Sequence, residues 1–146
     1  MSQQVDPGRI PELEAVVSAA LDEARRLGAT QAEADASLQQ GLSVTVRLGE
    51  VETVEYQRDR GLGVTVYFGQ RKGSASTADL SPDAVRDTVA KACAFARHTA
   101  EDDCAGLADP ALLARDPPDL ALDFPWELGP AAAPPRPRRA KPGRFR

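Results

Sequence analysis

Histidine occurs once in the 146 residues, at His98, and cysteine twice, at Cys93 and Cys104. A zinc-protease helix needs two imidazoles one turn apart plus a carboxylate base, and neither HExxH nor a longer-spaced version is present. His98 reads instead as a surface or capping residue, and the acids after it, Glu101, Asp102 and Asp103, as a solvated loop. The two cysteines allow one disulfide, although a reducing compartment would keep both as thiols. Cys93 falls on an apolar helix face, where core packing is expected, and Cys104 in a loop with nothing to activate it. No apolar run approaches the ~20 residues that span a bilayer. The start, MSQQVDPGRIPELE, is polar and acidic, unlike a secretory signal. The expectation is a cytoplasmic, non-membrane chain with no catalytic residue and no metal ligand of its own.

Acid is missing from one end. Residues 130–146 hold six bases (Arg136, Arg138, Arg139, Lys141, Arg144 and Arg146) and no acid, so the net charge of −4 divides into +6 there and −10 elsewhere. Five prolines in the same 17 residues remove any periodicity, and this basic Pro/Arg-rich tail is expected to be disordered. The tail has the composition to bind polyanions unaided, but it reads first as an unstructured end with no evolved role.

What is present is alternation. In GLSVTVRLGEVETVEYQRDRGLGVTVYFGQRKGSASTADL (Gly41–Leu80), apolar residues recur every second position at Val44 and Val46, and at Leu62, Val64, Val66 and Phe68. That period belongs to strands with one buried and one wet face. Glycines at 41, 49, 61, 63, 69 and 73 mark reversals, and Gly63 a bulge or a close backbone approach. Five strands are predicted: Gln31–Gln40, Leu42–Leu48, Glu50–Asp59, Leu62–Gly69 and Gln70–Ala78. The first, rich in alanine and glutamine, suits a helix equally.

A helix is predicted before the strands, over Pro11–Leu27, with Leu13, Val16, Val17, Ala20, Leu21 and Ala24 sharing a face. A second opens at Ser81-Pro82-Asp83, with serine as the cap and Val85, Val89, Ala92, Cys93 and Ala96 as its buried stripe. The fold class is therefore α+β, an antiparallel meander of about five strands with the helices packed on one face. Four regions follow: a flexible start over 1–10, the α+β domain over 11–99, an extended Pro/Asp-rich segment over 100–129, and the tail.

Little in this pattern carries chemistry. GLGVTVYFG does not lead into a helix, so it fits no phosphate loop. Ser74, Ser76 and Thr77 near Lys72 read as hydroxyls along an edge strand. Arg58, Arg60, Arg71 and Lys72 form a basic cluster at strand ends, with Tyr56, Tyr67 and Phe68 near it. Tyr56, Arg58, Arg71 and Lys72 are the binding candidates.

Residues 12 to about 127 resemble the N-terminal part of the TldD/PmbA family, on its PmbA (TldE) side. The resemblance is carried by ARRLGATQAEA, by the long run GLSVTVRLGEVETVEYQRDRGLGVTVYFGQRKGSASTADLSP, and by ARHTAEDDCAGLADPALLA with DPPDLALDFPWEL. It implies a modulator of DNA gyrase or a part of a heteromeric metalloprotease. In that complex a TldD-type subunit carries zinc on an HExxxH helix, and the PmbA-type subunit is metal-free. It also implies peptide substrates, through leader-peptide trimming and antitoxin degradation. No catalytic or metal-binding position carries over, so zinc is expected only in a TldD-type partner.

The sequence departs from the family pattern at His98 and Asp103, where tyrosine and proline are usual, and after Trp126-Glu127-Leu128. There the family continues into an acidic helix, whereas this chain turns to GPAAAPPRPRRAKPGRFR. The expectation is a truncated reading frame with an out-of-frame tail.

Overall fold

The computed structural model describes residues 9–114 together with 116, 118 and 120. Helix α1 spans Ile10–Arg26, strands β1, β2 and β3 span Gln31–Arg47, Glu50–Phe68 and Arg71–Thr77, and helix α2 spans Pro82–His98. One turn of 3-10 helix follows at Pro110–Leu112. The strands form one open antiparallel sheet in the order β1-β2-β3. Of the expected flexible start only Arg9 and Ile10 are described, and Ile10 already begins α1. The basic tail and the end of the Pro/Asp-rich segment lie outside the described residues.

Among the described residues the sheet has three strands, not five. Gly41 pairs with Gln57, and Gly61 with Ser37, inside an unbroken β1–β2 ladder from Gln31↔Tyr67 to Arg47↔Glu50. Neither glycine has a positive φ, so each is an ordinary strand residue where reversals were expected. The reversals fall at Leu48-Gly49, with φ of 51° and 84°, and at Gly69, with φ of 62°. Positive φ at both residues of a two-residue loop matches the twist of the strands it joins. The one register shift lies between Thr45 and Val46. Gly63 is therefore not a bulge, and what approaches it is the Asp35 carboxylate.

β3 pairs only with Leu62–Phe68. The outer part of the β1–β2 pair thus extends as a two-stranded ribbon. Val46, Val51 and Val54 stay exposed there, while Leu62, Val64 and Val66, backed by β3, are buried. Those three join Ala20 and Ala24 of α1 and Val85, Val89, Ala92, Cys93 and Ala96 of α2 in one core. Thr88, also buried, donates its hydroxyl to the Ala84 carbonyl.

Two local expectations need correction. Ser81 holds the cap position of α2 with extended backbone, but its side chain makes no cap bond. Its N–H donates instead to Asp79 Oδ1 at 2.9 Å, and its carbonyl accepts from Val85 N–H. The apolar stripe of α1 also divides. Ala20, Ala24 and Val16 turn to the core, whereas Leu13, Val17 and Leu21 line a cleft beside β1.

Gly73 fixes how closely α2 sits on β3. A Cβ built there would overlap the Ala92 carbonyl oxygen and the Ala96 amide nitrogen, which are helix backbone and cannot rotate away. Gly73→Ala should therefore lift α2 and destabilise the chain by about 1–3 kcal/mol. A urea unfolding midpoint indistinguishable from that of the unaltered chain would contradict this.

Candidate functional site

The four binding candidates do not share one surface. Tyr56 and Arg58 lie on the ribbon, opposite Leu42 and Gln40. Arg71 and Lys72 start β3, opposite Phe68 and Tyr67. Arg58 lies nine positions before Tyr67 along β2, about 30 Å of extended strand. Arg71 reaches Glu101 at 3.2 Å, Lys72 Nζ stands 6.0 Å from the centre of the Tyr67 ring, and Arg60 Nε donates to the Ala78 carbonyl at 3.2 Å. The expected basic cluster is thus spread along the sheet.

Chemistry-bearing groups are sparse and tied down. Tyr67 is buried, and its hydroxyl donates to Glu33 Oε1 at 3.3 Å. Burial, then the Glu33 charge, raises its pKa and keeps the phenol protonated. His98 is exposed in the last turn of α2. Among the described residues no group of three or more His, Cys, Asp or Glu is placed to hold a metal ion. The residues described here do not fit a catalytic metal. No helix among them is long and apolar enough to cross a membrane.

Two apolar surfaces stand out among the described residues. On the ribbon, Leu42 faces Tyr56, Val44 faces Val54 and Val46 faces Val51. Cross-strand partners share a face, so these six side chains form one apolar stripe. At its base the Gln40 side-chain oxygen is buried without a hydrogen-bond partner among the described residues. The second surface is the free edge of β1 with the cleft above it, about 530 Å³ in volume and lined by Leu13, Val17, Leu21 and Ala36. At the start of β1 the following chain lies close by, with Leu107 N–H donating to Gln31 Oε1 at 3.0 Å. Sequence reasoning missed this cleft. Its one signal was an α1 stripe wider than a single buried face requires.

A three-stranded open antiparallel sheet with two helices defines an α+β module. Residues 32–96 match the first domain of the PmbA/TldA metallopeptidases. The chain is 50% identical over 121 residues to metalloprotease PmbA of Escherichia coli O157:H7, covering 83% of this chain and 27% of that protein. It thus spans about a quarter of the length of that curated relative. TldE from Thermococcus kodakarensis shares the fold over 80% of this chain and 26% of its own, with a TM-score of 0.63 at 16% identity. A modulator of DNA gyrase from Bacteroides thetaiotaomicron does so over 76% of this chain and 25% of its own, with a TM-score of 0.68 at 23% identity. The chain belongs to the PmbA/TldD family and carries its N-terminal portion.

The thiols differ in reach. Both cysteines are free, Cys93 buried and Cys104 exposed, and burial pushes the Cys93 pKa up. One equivalent of a thiol reagent should therefore label the native chain, at Cys104, with Cys93 reacting only after unfolding. Native labelling of Cys93 in peptide mass spectrometry would contradict that.

Two carboxylates have pKa values below their ordinary range. Hydrogen bonding from Arg26 lowers the pKa of Glu23, and the Ser81 backbone N–H lowers that of Asp79. A pKa below its unfolded value contributes stability that is present above the unfolded pKa and lost as pH falls through the folded one. The thermal midpoint should drop between about pH 5 and pH 3. Asp79→Asn keeps an acceptor for the Ser81 N–H but cannot titrate, so its midpoint should fall less steeply over the same range.

Proposed function

We propose that this chain is the N-terminal domain of a noncatalytic PmbA/TldE-type subunit in a two-subunit metallopeptidase acting on peptides in the cytoplasm. The supporting observation is the 50% identity to metalloprotease PmbA over 121 residues. The metal-dependent step belongs to a TldD-type partner holding the zinc. This domain contributes assembly and an exposed sheet edge that pairs with extended chain, where main-chain hydrogen bonds supply affinity. Substrates of the whole complex are leader peptides of modified antibacterial peptides and antitoxin proteins. Tyr56 and Arg58 on the ribbon, and Arg71 and Lys72 on β3, contact other chains within it.

A second reading is a binding module linked to DNA gyrase. Its support is the neighbour described as a gyrase modulator, which at 23% identity shares the fold alone and leaves this reading second.

Co-expression with a TldD-type subunit tests the first reading, with a full-length PmbA-type chain as control. Co-elution of this chain with the subunit, and no zinc-dependent cleavage by the chain alone, is expected. Peptidase activity in the pure chain, or failure to co-elute where the control succeeds, would overturn it.

A further inference from the structure

Two helices side by side cover about 20 Å, each being about 10 Å across. Three strands spaced about 4.8 Å apart present only about 14 Å beneath them. The difference is about one strand. α2 cannot supply the overhang, because its backbone lies directly on Gly73 of β3. α1 does: Leu13, Val17 and Leu21 project past the core to form the cleft with Ala36 of β1. Below them, among the described residues, no strand pairs with the outer side of β1, and Leu107, Ala108, Pro110 and Leu113 stand beside only its start, at Gln31 and Ala32.

We infer that the edge of β1 around Ala32–Leu38 is a docking site for a fourth strand, an extended segment of another polypeptide in which apolar and basic residues alternate. A strand added at hydrogen-bonding distance continues the pleat of β1, so its side chains alternate between the two faces. On the helix side they meet Ala32, Ala34 and Ala36, small enough to leave room, and enter the cleft beneath Val17. On the other side they stand beside Glu33 and Asp35, both exposed. Asp35 has no ion-pair partner among the described residues, and opposite charges on neighbouring strands attract. The same carboxylates disfavour a second copy of this chain, since β1 against β1 sets acidic strand beside acidic strand.

The inference rests on the proposed function only in taking an extended chain as ligand, and it is measurable without the other subunit. An end-blocked nine-residue peptide of alternating valine and lysine is titrated into the full chain, with amide chemical shifts as the readout. Saturable shifts in Ala32–Leu38 and Leu13–Leu21 are expected. N-methylating one alternate set of peptide amides should abolish binding, and methylating the other set should leave it, because only one set faces β1. Val17→Asp, at a partly buried position, should weaken binding by about tenfold. An alternating valine–glutamate peptide should bind more weakly than the lysine one.

Shifts confined to Arg71–Thr77, equal binding of both N-methylated peptides, or no saturation at millimolar peptide would each overturn the inference. Loss of peptide binding with co-elution retained sinks the docking site alone. Peptide binding with co-elution lost sinks the assembly role and leaves the site.

Discussion

The contact between the backbone of α2 and Gly73 sets the lateral positions of the other elements. Only a residue without a Cβ lets the Ala92–Ala96 turn rest on β3, and that proximity places Val89, Ala92, Cys93 and Ala96 against Leu62, Val64 and Val66. α1 then packs beside α2 through Ala20 and Ala24, whose small side chains keep it close to the core. With α2 held at the β3 side, the excess width of the helix layer appears at β1. The open cleft is a geometric consequence of one glycine at the opposite edge.

The long ribbon follows from a different balance. Alternation runs without interruption through Gly41 and Gly61, so nothing in the local chemistry stops β1 or β2 before the Leu48-Gly49 loop. Burial, by contrast, ends where β3 and the helices end. Val54 is 42% exposed and Val64 only 2%, although both are valines on the same strand. A two-stranded hairpin has little stability alone, and this one is held by the three-stranded base from which it grows. The Arg47–Glu52 ion pair near its tip joins side chains 73% and 46% exposed, so its contribution is small.

Those two balances explain what was legible in the sequence. The helices were, because caps, prolines and a 3.6-residue stripe are local signals, and α1 and α2 lie within a residue of Pro11–Leu27 and of the Ser81-Pro82 start. The strand period was legible too. The number of strands was not, because a glycine inside a strand and one at a turn differ in φ, which the sequence does not state. Positive φ occurs at Gly49 and Gly69 and is absent at Gly41 and Gly61. The basic cluster was illegible for a related reason. Arg58 and Arg71 are near in sequence, but merging two expected strands into β2 leaves Arg58 midway along that strand and Arg71 beyond its end, at the start of β3. The cleft beside β1 depends on relative widths of packed layers, which no local pattern encodes.

The character of the β1 edge bears on which surface is built for contact. Edge strands are usually guarded by shortness, proline, lysine or an inward charge, because unpaired backbone recruits other chains. β3 is guarded in this way: it has seven residues, and Arg71 and Lys72 stand at its start. β1 runs for 17 residues without proline or lysine; Arg47 ends it at the ribbon tip, and its other charges, Glu33 and Asp35, sit on the face away from the helices. The helix-side face offers alanines under an apolar overhang. An edge so long, with carboxylates on one side and an apolar roof on the other, excludes flat, acidic or proline-rich partners more than it excludes strands as such. That selectivity is the opposite of a generic defence against aggregation, which would place charge on both faces. It fits an edge kept available for one kind of extended chain.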